Sequence, residues 1–168
     1  LIMSSIFDVF KKKIWNFPRI ISHLSFGFLI LFIGLNHNFS VEKDFNIKLG
    51  EIKKIDNYEF SLLDLKLNQK TNYKAVVGKL EVSNLNTMEK RILKPEIRIY
   101  DNPQTLTYEA SIQTNFLGDH YLTMSNIDRS EYYNIKFQHK PLMIWIWISV
   151  VLLSFGGFLS LFKNAKNN

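Results

Sequence analysis

Leu142-Met-Ile-Trp-Ile-Trp-Ile-Ser-Val-Val-Leu-Leu-Ser-Phe-Gly-Gly-Phe-Leu-Ser-Leu-Phe162 is a run of 21 residues without an ionisable side chain. As an α-helix it would be about 31 Å long, against a hydrocarbon core of about 30 Å. Lys140 and Pro141 open the run, and Lys163 and Lys166 close it. Trp145 and Trp147 fall in its first two turns, where an interfacial aromatic belt sits. The run reads as a transmembrane helix over residues 141–162, followed by a short tail, 163–168.

A second apolar run lies near the other end, Ile20-Ile-Ser-His-Leu-Ser-Phe-Gly-Phe-Leu-Ile-Leu-Phe-Ile-Gly-Leu35. Pro18 suits the first turn of a helix, and counting from Phe17 gives a span of about 28 Å with Trp15 as anchor. A basic start followed by an apolar run also describes a signal peptide. Asn36-His37-Asn38 is a poor small-residue cleavage site, however, and the run exceeds the usual apolar region of a signal. We read a retained helix over 17–38. Lys11, Lys12, Lys13 and Arg19 precede it, and Lys163 and Lys166 follow the other, so both termini, including segment 1–16, are expected in the cytoplasm. Residues 39–140 are then exported, into the periplasm of a bacterial inner membrane or the intermembrane side of a mitochondrial one.

That middle stretch holds 15 of the 21 basic residues and 14 of the 15 acids, so it is nearly neutral. The excess base of the chain, formally +6, flanks the apolar runs, which argues against nucleic acid as a partner. A simple soluble enzyme is excluded by the two apolar spans. The chain has no cysteine, so the exported part must hold together through its core.

Between 39 and 140 the dominant signal is alternation. Phe45, Ile47 and Leu49 alternate with Asn46 and Lys48. Tyr58, Phe60 and Leu62 keep one parity, then Leu63, Leu65 and Leu67 take the other, as a β-bulge would cause. Val76, Gly78, Leu80 and Val82 form another set, Leu106, Tyr108, Ala110 and Ile112 a fourth, and Tyr133, Ile135 and Phe137 the last. Pro95 and Pro103 bracket Glu96 to Tyr100, which suits an edge strand. Seven or eight short strands with little helical period predict an antiparallel β barrel or sandwich between two transmembrane helices, a membrane-anchored all-β chain.

Most catalytic constellations are missing: there is no Cys nucleophile, Walker sequence or Gly-x-Ser-x-Gly, and no zinc-type spacing among His23, His37, His120 and His139. His23 stands apart because it lies within the first apolar span, where an unhydrated imidazole needs partners for its nitrogens. Gly27, Ile30 and Gly34 fall within about 40° of it on a helix, and two glycines there allow a flat cofactor or another helix to approach closely. Two readings are open. Imidazole is a standard axial ligand of heme iron, and it is equally a hydrogen-bonding partner for a neighbouring helix's carbonyl. His37 reads as a solvated residue at the helix mouth, His120 and His139 as surface residues of loops or strand ends, and Glu109 as a solvated edge acid. Gly156 and Ser160, four apart, form a packing face for another helix.

The order of these segments resembles the C-terminal region of the CcmF/NrfE family, the membrane heme lyase component of bacterial-type cytochrome c maturation. The likeness runs from about Ile21 to Phe162. It rests on Ser22-His-Leu-Ser-Phe-Gly27, Asn38-Phe-Ser-Val-Glu-Lys-Asp44, Thr71-Asn-Tyr73, Thr107-Tyr-Glu-Ala-Ser-Ile112, Lys140-Pro141, Trp145-Ile-Trp147 and Gly156-Gly157. The resemblance implies that His23 is one axial ligand of an intramembrane heme b, binding its iron, with Gly27 and Gly34 giving close approach. It implies that the exported β domain belongs to a complex joining heme vinyl groups to the Cys-x-x-Cys-His of apocytochrome c. The expected partners are a heme chaperone, a thiol-presenting maturation factor, apocytochrome c and an upstream heme-lyase portion that supplies the second axial ligand. Such a chain would be a fragment or one piece of a split protein. The competing expectation is a non-catalytic membrane-anchored binding or assembly module. A sensor domain would need another protein for its output, because the tails are short.

Overall fold

The computed structural model describes residues 17–127 and 130–165, with side chains of the last helix described as far as Leu161. The expected segment 1–16, with Trp15 and the lysines at 11–13, lies outside the described residues, as does the end of the tail from 166. The described residues run helix, ten strands, helix. Helix α1 (Phe17–Phe39) is followed by β1 (Val41–Lys48), β2 (Ile52–Ile55), β3 (Tyr58–Gln69), β4 (Tyr73–Asn84) and β5 (Lys90–Leu93). Then come β6 (Glu96–Asp101), β7 (Gln104–Glu109), β8 (Ser111–Asn115), β9 (Gly118–Asn126), β10 (Tyr132–Pro141) and α2 (Met143–Ala165).

Two compact units result. One comprises the helices with the β8–β9 turn, and the other comprises most of the strands. The strands form two sheets: β1-β10-β9-β8, and β2-β3-β4-β6-β7 with β5 also paired to β4. Neighbours β1/β10, β2/β3, β3/β4, β4/β6 and β6/β7 are antiparallel. Both sheets send apolar side chains into one core: Phe45 and Ile47 from β1, Tyr58, Phe60 and Leu62 from β3, Leu80 and Val82 from β4, Leu122 and Met124 from β9, Ile135 and Phe137 from β10. Its centre is aromatic, with ring centroids of Phe60 at 4.6 Å from Phe45 and 5.2 Å from Phe137. Of the barrel or sandwich that the alternation predicts, this is the sandwich.

The bulge is found where the parity switches. The β3/β4 register slips between Leu62 and Asp64, leaving Leu63 unpaired and exposed. Gly78 sits in β4 where an added Cβ would lie 2.8 Å from the Met124 sulfur, so the glycine makes room for a core methionine. Three expectations are corrected. Glu96 to Tyr100 is not an edge strand, because β6 lies between β4 and β7. Pro95 and Pro103 stand just outside it, so neither removes a ladder donor. The alternating stretch from Leu106 to Ile112 is broken at Ala110 into β7 and β8, which end different sheets, and Leu106, Tyr108 and Ile112 are all exposed. Leu49 leaves the β1 pattern, exposed in the turn at Gly50, whose positive φ of 79° suits glycine.

Candidate functional site

The helix unit is built from small residues and aromatics. At Gly156 a Cβ would lie 2.5 Å from Ser22 Oγ and 2.9 Å from Ser22 N, so α2 and α1 touch backbone to backbone there. Ser160, the other half of the expected packing face, is exposed. Further along, the rings of Phe28 and Phe32 stack at 5.9 Å, and Phe32 meets Trp145 at 6.0 Å. At the end of α1, Asn36 Nδ2 donates to Pro141 O at 2.5 Å. Hydroxyls inside this apolar unit bond back to the preceding turn: Ser149 to Trp145 O at 2.8 Å and Ser154 to Val150 O at 2.9 Å.

These contacts fix which side of α1 faces α2. Ile21, Ser22, Phe32 and Asn36 make them, and at 100° per residue all lie about 100° or more round the helix from His23. The His23 stripe therefore looks away from the partner helix. Along it His23 is partly buried, Gly27 is buried and Ile30 is 54% exposed, while a Cβ on Gly34 would meet nothing within 4 Å. His37 is exposed at the outer end of the same helix. The stripe carries one imidazole, with the buried Gly27 one turn on and open space at Gly34 about three turns on.

The strand unit holds a polar cluster that the sequence reading places on the surface and the structure places inside. His120 is 8% exposed and stacks on His139 at 4.5 Å between ring centroids, with Phe137 5.8 Å away. Burial pushes the His120 imidazole down to about 4, and the nearby His139 and Arg91 add to the shift, while Glu89 opposes it. Arg91 is itself paired with Glu89 at 3.0 Å. Burial also raises the Tyr58 hydroxyl, with Arg91 opposing. The signal was present in the parity: His120, Leu122 and Met124 share one face of β9, and Ile135, Phe137 and His139 share one face of β10.

Glu109 is part of a charge latch on the second sheet. Arg98 Nε holds Glu96 at 2.7 Å, its Nη1 lies 3.9 Å from Glu109, and its guanidinium covers the Tyr73 ring at 4.9 Å. The Glu96 pair lies within β6, while the Glu109 and Tyr73 contacts reach the neighbouring strands and support sheet packing. Among the described residues, no group of three His, Cys, Asp or Glu side chains is placed to hold a metal ion.

Comparison with known proteins gives the family. A family model described as the CcmF C-terminal beta-sandwich matches residues 38–141. The cytochrome c-type biogenesis protein CcmF of Escherichia coli is 28% identical over 141 residues, covering 84% of this chain and 22% of that protein. CcmF of Haemophilus influenzae is 26% identical over 147 residues, 88% of this chain and 22% of the relative. The chain thus spans about a fifth of the length of these relatives. A solved structure titled cytochrome c heme lyase CcmF superposes with a TM-score of 0.62 at 14% identity, covering 83% of this chain and 23% of that one, which shows the shared fold. Two long apolar helices bracketing this sandwich make it a membrane protein, and the chain belongs to the CcmF C-terminal beta-sandwich family.

Proposed function

We propose that this chain is the C-terminal part, or a split subunit, of a membrane heme lyase complex that attaches heme covalently to apocytochrome c, and that His23 gives one axial ligand to an intramembrane heme b. The observation that carries this reading is the position of His23 on the side of α1 turned away from α2, with room at Gly34 on the same stripe, on the helix that leads directly into the family's β-sandwich. The donor set fits the group: an imidazole nitrogen is a good iron ligand, and a helix face without a side chain at Gly34 admits a flat macrocycle. Heme b, when bound, supplies one-electron transfer, which keeps the heme being joined in its reduced state.

The rest of the work falls to residues of this chain. His23 presents a ring nitrogen, and its second nitrogen needs an acceptor to fix the tautomer. The Ser22–Gly156 approach and the Asn36–Pro141 bond hold α1 against α2 and so fix the helix that carries His23. The second axial ligand comes from the upstream heme-lyase portion. In this reading residues 39–140 are periplasmic, or on the intermembrane side, with both termini in the cytoplasm or matrix. The sandwich is then available to a heme chaperone, a thiol-presenting factor and apocytochrome c.

Reduced-minus-oxidised spectra of the assembled complex test the ligand role. His23→Ala is expected to abolish the b-type absorbance while the complex still assembles, and His23→Gly with added imidazole to restore part of it. Unchanged absorbance in His23→Ala rejects the role. Full maturation activity in the same variant would leave an anchored, non-catalytic assembly module as the function.

A further inference from the structure

We propose that the β8–β9 turn is a lipid-docking finger, with Phe116 and Leu117 seated in the headgroup–acyl boundary of the bilayer. The two side chains are 71% and 72% exposed, side by side at a turn where polar residues are the rule. Asn115 builds the turn: its Oδ1 accepts from Leu117 N at 2.9 Å and from Gly118 N at 2.8 Å.

The turn is also tied to the start of α2. Leu142 N donates to Leu117 O at 2.9 Å, and the Trp145 indole Nε1 donates to Phe116 O at 2.9 Å. Trp145 is a belt residue in the first turn of a membrane-crossing helix, so the hydrogen bond fixes the Phe116 carbonyl at interfacial depth. Leu142 adopts a positive φ of 59° and its carbonyl accepts from Trp145 N at 3.0 Å, so the same short segment caps the helix and holds the finger.

Two further features favour lipid as the occupant. Four backbone groups of the turn are already paired, namely the nitrogens of Leu117 and Gly118 and the carbonyls of Phe116 and Leu117. That removes the main obstacle to bringing an irregular turn near hydrocarbon. Residues Asn115 to Gly118 carry no charge, and the acid that follows, Asp119, is buried at 6% exposure, so the turn itself presents no exposed carboxylate to lipid phosphates.

The chain has no cysteine, so Phe116→Cys and Leu117→Cys each give a single labelling site. The full chain, labelled with an environment-sensitive fluorophore, is reconstituted in phosphatidylcholine–phosphatidylglycerol vesicles. The vesicles carry nitroxide lipids labelled at the headgroup, the upper acyl chain or the chain end. Both sites are expected to show blue-shifted emission, quenched most by the headgroup and upper-chain labels. Ile30→Cys, mid-span in α1, serves as the deep reference, quenched most by the chain-end label. Water-like, unquenched emission at both sites overturns the proposal. So does a blue shift that no lipid label quenches, which would mean that protein covers the tip. A depth profile equal to that of Ile30→Cys overturns the interfacial placement. Circular dichroism checks that each variant is folded, and neither substitution removes a buried side chain.

Discussion

Gly156 and Gly157 are neighbours in sequence and opposites in structure, and replacing each with alanine separates two physical effects. At Gly156 the new methyl would lie 2.5 Å from Ser22 Oγ, 2.9 Å from Ser22 N and 3.1 Å from Ile21 Cγ2. The hydroxyl can rotate away, but Ser22 N is backbone, so α1 and α2 must part by roughly half an ångström to restore ordinary contact. Dispersion across the whole helix contact weakens with that separation, and overpacking of this kind costs about 1–3 kcal/mol. At Gly157 a methyl meets nothing within 4 Å, and alanine gains up to about 1 kcal/mol of helix propensity. SDS titration of the reconstituted chain, followed by helical circular dichroism, measures both. We expect Gly156→Ala to unfold at lower SDS fraction than the parent and Gly157→Ala at equal or higher fraction. Ser22→Ala should relieve Gly156→Ala only in part, because the 2.9 Å backbone contact remains. Equal behaviour of the two glycine variants would refute the close approach and with it the argument for which side of α1 faces α2.

In the sandwich, Phe60 is fully buried against Phe45 and Phe137, so Phe60→Ala should destabilise by about 3–5 kcal/mol in chemical denaturation, whereas Leu67→Ala, at a site 84% exposed, should change stability by less than about 0.5 kcal/mol. His120 titrates near 4 in the folded chain against about 6.5 unfolded, so its neutral form contributes stability in full above pH 6.5. That contribution is lost as pH falls from about 6.5 to about 4, a total on the order of 3 kcal/mol, and is flat below. Denaturation midpoints across that window should fall in the parent and flatten in His120→Phe; a parallel slope in both would reject the buried imidazole as the cause.

Much of the sandwich was legible because a half-buried strand writes its faces into alternate residues. The switch from Leu62 to Leu63 located the bulge to the residue, and Ile135 with Phe137 marked the inner face of β10. What failed was whatever depends on neighbours distant in sequence. The parity of Leu106 and Tyr108 continues unbroken through Ala110 and Ile112, so periodicity cannot register that the chain leaves one sheet for the other at that point. The prolines around β6 correctly bounded the strand, yet nothing local states that β7 will cover its free edge. Strand β9 escaped notice because a histidine occupies one of its inward positions. An imidazole inside a core reads as a surface residue until the parity of Leu122 and Met124 is extended back to it.

The helices set a different problem, because lipid and a partner helix are equally apolar and hydropathy cannot tell one from the other. Small residues carry the information instead, and here they divide. Gly156 is spent on the contact between α1 and α2, which already has Ser22 opposite it. Gly34 takes no part in that contact and touches nothing, although alanine there would favour the helix and would cost nothing in space. Gly34 lies on the same stripe as His23, so under the proposed function this is where a heme, or the helix that brings its second ligand, would come against α1. Gly34→Leu therefore bears on the same question as His23→Ala from the side of shape: it should diminish b-type absorbance in the assembled complex while the isolated chain unfolds at equal or higher SDS fraction. A variant that keeps full absorbance would show that nothing approaches α1 at this level.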